Sequence, residues 1–352
     1  MVKHFVFTRL GIGIYNEAWH EHRLDLFEAI TLPSMLQQSS KAFTWLVAVD
    51  SNMPPKSRAR LGQMLQGVPH FHMVPIDVAR MTNIVVGGLA SQFDYCRDYI
   101  MACGLVDDPK EFVITSRIDD DDAWHRDLIA IVNAEMNRWM IQEQESQGNS
   151  TAAIGRILTL PRGLAWFVPN NVLQLIEFPF LAISIFVAAR LDSGFSVASI
   201  DHYRWPQYAE TFHFDVAQAE PERPMWVYTR HDRTTMQWQT VDVPTASQPP
   251  LALLKTEFNI DVERIAQFRS RIPRRSDFAV GTHGAYLLQF QRIRRITALN
   301  RQIELLTQDD ASSGMHTLQL ADTRRAELLA RSKSARAELL AALHHTGSTE
   351  FG

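Results

Sequence analysis

The sequence predicts an α/β fold, a parallel sheet with helices on both faces followed by a C-terminal helical hairpin. Three observations carry the prediction. Apolar strand-like runs alternate with helical stretches through the first half, an order that pairs strands in parallel through crossover helices. Polar and acidic residues stand just after those runs, where open parallel sheets bind ligands. A Pro- and Ser-bearing segment over 241–250 (VDVPTASQPP) then separates residues 1–245 from a tail of helical periodicity over 251–345.

Lys3 to Thr8 (KHFVFT) reads as a buried strand ending at Arg9. Gly11 and Gly13 come next, but Asn16 takes the place of the third glycine of a dinucleotide fingerprint, so the glycines read as a permissive turn. Arg23 to Gln37 is a helix bent or ended near Pro33, and Phe43 to Val49 is a second strand closing on Asp50 and Ser51. A third strand spans Phe71 to Val78, and a helix runs from Ala90 to Cys103. The apolar run EFVITSRI then leads into Asp119, Asp120, Asp121 and Asp122, and a helix spans Arg126 to Gln144. Val172 to Ala189 is apolar, but Gln174, Glu177 and Pro179 divide it into a short segment and a buried strand around Ile183 to Val187.

The acidic run is the most informative feature. Four adjacent carboxylates at the end of a buried strand repel one another and require a cation or solvent to offset the repulsion. Oxygen ligands of this kind suit Mn²⁺ or Mg²⁺, whose open positions accept phosphate oxygens of a nucleotide. A solvated turn or helix N-terminus is the ordinary alternative, but a helix cap uses one side chain rather than four. Loss of one charge from the run is expected to relieve the apo protein. Thr8, Arg9, Asp50 and Ser51 fall at other strand ends and are expected beside the same ligand, with Arg117 just before the acids.

Composition excludes extremes. The chain has 352 residues, 46% hydrophobic, with a net charge of −4. Residues 1–250 carry 20 Lys and Arg against 28 Asp and Glu, which argues against a nucleic-acid surface; the tail is mildly basic, with 15 against 11. Cys96 and Cys103 make neither a zinc site nor a disulfide framework and are expected in the core of a reduced, cytoplasmic protein without a secretory signal.

The strand ending in TR, the following YN, the helix with SMLQQS, the strand WLVAVDS and the segment SRIDDDDAW together resemble a GT-A-type glycosyltransferase, specifically the bacterial family called putative rhamnosyl transferases, over residues 3–240. The resemblance implies a GT-A-like nucleotide-binding sheet, a nucleotide-sugar donor and a glycan or other hydroxyl acceptor. It implies that Asp119, Asp121 and Asp122 hold the divalent ion in the manner of a DxD motif, with Asp120 as spacer, and that Thr8, Arg9 and Asp50 touch the nucleoside. It also places His231, after the apolar strand MWVYT, as a further metal ligand, with Arg230 and Arg233 offsetting the diphosphate. The sequence departs from common family 2 enzymes in lacking a Pro before YN and a second Asp after Asp50.

An inverting transferase needs a base for the acceptor hydroxyl, and the candidates are Asp201, His202 and Glu177. Trp166, Phe167, Tyr203, Trp205 and Tyr208 are candidates for stacking on sugars or for filling the core beneath. Two helical patterns, Ala285 to Leu306 and Leu318 to Leu343, are expected to pair, with dimerisation or peripheral membrane contact as roles for their apolar and Arg-bearing faces. Two other classes stand against the transferase. A nucleotidyltransferase would share the carboxylate logic but brings a basic Gly-rich loop that GIGIYN lacks, and a non-catalytic assembly protein would explain the tail without the acids.

Overall fold

A computed structural model describes residues 2–12, 17–76, 89–145, 153–169, 171–198, 205–231 and 249–269, with scattered positions between 303 and 341. The chain forms two compact units, one of residues 1–76 and 93–277, the other of residues 77–92 and 278–352. The hairpin expected over 285–306 and 318–343 lies almost wholly outside the described residues. Among the described residues, no helix is long and apolar enough to cross a membrane.

The first unit is built on a seven-stranded mixed sheet. Strands β1 (Lys3–Leu10), β2 (Thr44–Asp50), β3 (Phe71–Ile76) and β4 (Phe112–Arg117) are its parallel part, in the spatial order β3-β2-β1-β4. Their near-continuous apolar runs suit strands covered on both faces. Beyond β4 the sheet reverses. Strand β9 (Ile185–Arg190) runs antiparallel to both β4 and β6 (Gly155–Thr159), and β10 (Asp215–Gln218) closes that edge. The parallel order expected of the first half holds for β1 to β4, and the buried strand expected around Ile183 to Val187 is β9, whose direction an apolar run such as IFVAA does not reveal.

A second, four-stranded sheet holds β5 (Ala123–Trp124), β11 (Trp226–Arg230), β7 (Arg162–Phe167) and β8 (Val172–Glu177), in that order. Helices α4 (Leu89–Ala102) and α5 (Leu128–Glu145) fall where periodicity expected them, α3 (Pro55–Leu65) joins β2 to β3 where no helix was expected, and α6 (Trp205–Thr211) lies between β9 and β10.

The helix expected over 23–37 is three pieces, α1 (Glu17–Leu26), a π-helical turn (Phe27–Thr31) and α2 (Leu32–Leu36). Pro33 has no amide hydrogen to give the carbonyl of Ala29. That carbonyl accepts instead from the Asp261 amide at 2.8 Å, and the Asn259 side chain donates to Pro33 O at 3.2 Å. Residues expected to open a separate helical extension thus dock on this defect. Helices α7 (Ala252–Thr256) and α8 (Val262–Arg269) bring Leu254, Phe258, Ile260 and Ile265 into a core shared with Leu26, Ile30, Leu164 and Val227.

Candidate functional site

The site is assembled at the carboxyl end of β4. Its neighbour β1 is locked to it in register, Phe7 opposite Arg117, and Thr8 anchors the chain as it leaves β4. The Thr8 hydroxyl donates to Ile118 O at 2.8 Å and accepts from the Trp45 indole at 2.9 Å. Both roles of that hydroxyl are structural and Thr8 is fully buried, so it holds the acidic turn in place. Asp50 is equally buried and accepts from the Asn52 amide at 2.8 Å, shaping the turn after β2, while the Arg58 guanidinium donates to the carbonyls of Asp50 and Ser51. Gly11, at φ +62°, completes the turn after β1, where a Cβ would strike the His20 ring.

The four acids do not share one environment. The side chain of Asp119 is 38% exposed and lies 3.8 Å from the Arg117 guanidinium; Asp120, Asp121 and Asp122 are buried. Strand β11, paired with β5 just beyond the run, clamps the turn. The Thr229 amide donates to Asp122 Oδ1 at 2.8 Å, and its hydroxyl donates to the Asp121 carbonyl at 2.6 Å.

The cation that the run requires comes from α1. Arg23, itself buried, donates Nε to Asp120 Oδ2 at 2.9 Å, Nη2 to Asp120 Oδ1, and Nη1 to Asp121 Oδ2 at 2.9 Å. One planar guanidinium therefore spans two consecutive carboxylates. Its Cζ also lies 5.7 Å from the centre of the Trp19 ring, one helical turn away. His231, directly after β11, places Nε2 at 2.7 Å from the same Asp121 oxygen. A carboxylate only accepts, so this nitrogen carries its proton. The 3.2 Å approach of Arg23 Nη1 to it is then a contact between two donors.

Charge is distributed accordingly. Burial opposes the Arg23 charge, but Asp120 and Asp121 outweigh it and hold the guanidinium pKa above its ordinary value. Burial likewise opposes ionisation of Asp121, yet Arg23 and His231 draw its pKa below the usual carboxylate range. Asp122 goes the other way, raised well above that range by burial and by the charges of Asp121 and Asp119. Arg230 closes this end of β11 with its guanidinium stacked 3.4 Å over the Tyr228 ring.

This arrangement does not fit the expected Mn²⁺ or Mg²⁺ set of Asp119, Asp121, Asp122 and His231. His231 and the buried acids do gather as expected, but Arg23 stands among them, the His231 nitrogen aimed at Asp121 is protonated, and Asp122 Oδ1 is engaged by an amide. Among the described residues no three His, Cys, Asp or Glu side chains are placed to share a metal ion. Arg23 is the residue that sequence reasoning missed. The one signal for it was the requirement for a cation; nothing in the spacing says which residue supplies it.

Other candidates fall elsewhere. Glu177 is exposed and pairs with Arg162, while Val172 at the other end of β8 pairs with Phe167, which lies opposite Arg230. At about 3.3 Å per residue that puts Glu177 roughly 17 Å along the sheet from the site end, too far to act there. Asp201, His202 and Tyr203 lie outside the described residues, as does Arg233. Trp166, Phe167 and Trp205 are buried and fill the core, so these three offer no stacking platform, while Tyr208 is half-buried and packs with Phe195 and Phe212. Cys96 is buried, its thiol pushed up to about 12 by burial, whereas Cys103 is exposed, contrary to the expected core position.

A family model described as "Putative rhamnosyl transferase" matches residues 11–241. No curated protein matches the chain. Among solved structures, apo mouse xyloside xylosyltransferase 1 is similar at 13% identity over 61% of this chain and 78% of that one, with a TM-score of 0.28. TarS of S. aureus is similar at 6% identity over 96% of this chain and 54% of its own, with a TM-score of 0.34. The galactosyltransferase LgtC, solved with donor and acceptor sugar analogues, is similar at 9% over 60% and 65%, with a TM-score of 0.26. This chain thus spans about half of TarS and just under two thirds of LgtC. The family model covers well over half of the chain and takes in Arg23, the acidic turn, Thr229 and His231 together: the protein is a glycosyltransferase and belongs to the family of putative rhamnosyl transferases.

Proposed function

We propose that this protein transfers a sugar, rhamnose as the family description suggests, from a nucleotide-sugar donor to a hydroxyl of a glycan, with inversion at the anomeric carbon. The observation that supports it most is the gathering of the ends of β1, β2 and β4 on one edge of the sheet, which brings Arg9, Ser51, Arg117 and the acidic turn together where parallel sheets take nucleotides. Arg117 and Arg230 offer guanidinium groups for the diphosphate. Asp119, the accessible acid of the run, faces the donor, while the buried acids hold α1 and β11 around it. Asp201 or His202 takes the proton of the acceptor hydroxyl. No step of this reading runs through a divalent ion, because Asp121 and Asp122, two of the donors expected to hold one, are engaged by Arg23, His231 and Thr229.

The test is a panel of dTDP-, UDP- and GDP-sugars offered to the purified protein, followed by thermal shift and by release of nucleoside diphosphate. Stabilisation by one nucleotide class with slow donor hydrolysis is expected, with dTDP-rhamnose foremost. A panel in which every donor is inert would refute donor binding and return the chain to the assembly reading.

A further inference from the structure

A buried cluster of carboxylates has to be neutralised from somewhere, and in this fold the neutralising group is part of the chain. Asp120 gives both oxygens to Arg23, and Asp121 gives Oδ2 to Arg23 and to His231. The arginine is not a surface residue that folded inward. Its neighbours on α1 and the π turn, Leu24, Leu26 and Phe27, are core residues, so the helix face that carries it is fixed against the sheet. Trp19 backs it from one helical turn away, and the His22 ring lies 6.0 Å from that of His231. A divalent ion entering between Asp120, Asp121 and His231 would meet a fixed positive charge at hydrogen-bond distance from those same oxygens, which repels it and occupies its ligands.

We propose that the Arg23 guanidinium is the resident cation of this site, taking the place among Asp120, Asp121 and His231 that a divalent ion would otherwise hold, so that the protein turns over its donor without added metal. Arg23 is a positioning residue: it acts through the acids, setting their geometry and charge. The inference rests on the glycosyl-transfer reading only for the word donor, since ion binding can be measured without any sugar nucleotide.

The experiment titrates Mn²⁺ into the metal-stripped full chain and its Arg23 variants, following free Mn²⁺ by electron paramagnetic resonance, with donor turnover measured in parallel in chelator. The parent is expected to bind Mn²⁺ weakly. Arg23→Met removes the repelling charge and frees carboxylate oxygens, and is expected to tighten Mn²⁺ binding by about tenfold or more. Arg23→Lys keeps the charge and should stay near the parent, an outcome that a merely structural arginine would not produce. Arg23→Gln, which is neutral and keeps one amide donor at about the level of the arginine Nε, serves if Arg23→Met does not fold. Stoichiometric Mn²⁺ binding by the parent, or weaker binding in the neutral variants, overturns the inference, as does parental donor turnover that stops in chelator and returns with Mn²⁺. An inert donor panel with the expected Mn²⁺ pattern overturns the transferase reading and leaves the resident cation standing.

Discussion

Asp121→Asn and Asp122→Asn are the same chemical change one residue apart, and the structure assigns them different consequences. Charge repulsion along the run, taken alone, makes either substitution neutral or stabilising. In the fold, Asp121 Oδ2 accepts from Arg23 at 2.9 Å and from His231 at 2.7 Å. An asparagine that keeps its oxygen in that position retains both bonds but loses their charge assistance, roughly 1 kcal/mol for each, so the expected loss is about 2 kcal/mol. Asp122 meets no such partner: its Oδ1 accepts from the Thr229 amide, which an asparagine oxygen does equally well, and burial already disfavours its charge. Its replacement should change stability by less than about 0.5 kcal/mol or raise it. Equilibrium urea unfolding at neutral pH, with the slope checked for constancy, measures both. Equal losses in the two variants, or a larger loss in Asp122→Asn, would refute the assignment of the charge to Arg23 and His231.

Three further predictions concern the scaffold. A chain ended near Pro249 loses Leu254, Phe258, Ile260 and Ile265, all buried in the first unit; at about 2–5 kcal/mol for each large buried side chain it should show no cooperative unfolding transition, whereas a chain ended after Asp277 should melt cooperatively and keep its donor-induced thermal shift. His4 is buried between Asn133 and Ser116 and its pKa is lowered to about 4, burial outweighing the Asn133 hydrogen bond. Because the unfolded imidazole takes up its proton first, this contribution is complete above pH 6.5 and is lost as pH falls towards 4, up to about 3 kcal/mol; urea midpoints at pH 7 and pH 5 should differ more in the parent than in His4→Gln, and parallel profiles would contradict the assignment. Gly163→Ala would place a Cβ 2.1 Å from the Trp226 ring, which is tethered by its indole donating to Leu160 O at 2.7 Å; a loss of about 1–3 kcal/mol in chemical denaturation is expected, and an unchanged midpoint would show that the tryptophan repacks.

What could be read from residue order alone is the local part of this protein. Strands β1 to β4 and the helices before β2 and β4 follow from apolar runs and periodicity, which depend only on neighbours along the chain, and the family was legible in TR, WLVAVDS and SRIDDDDAW; α3 was not read. The need for a positive charge beside Asp119 to Asp122 was legible as well, since repulsion between adjacent carboxylates is a property of the run alone. Tertiary structure decided who supplies it. Arg23 and His231 lie 97 and 110 residues from the acids they contact, and a single sequence carries no signal linking a charge to a partner at that separation. The same physics decided the rest: β9 reversed the sheet because burial has no direction, Thr8 became a strut once Trp45 and Ile118 closed on its hydroxyl, and the residues after Pro250 joined the first unit because Pro33 had left a carbonyl of α1's continuation without a donor.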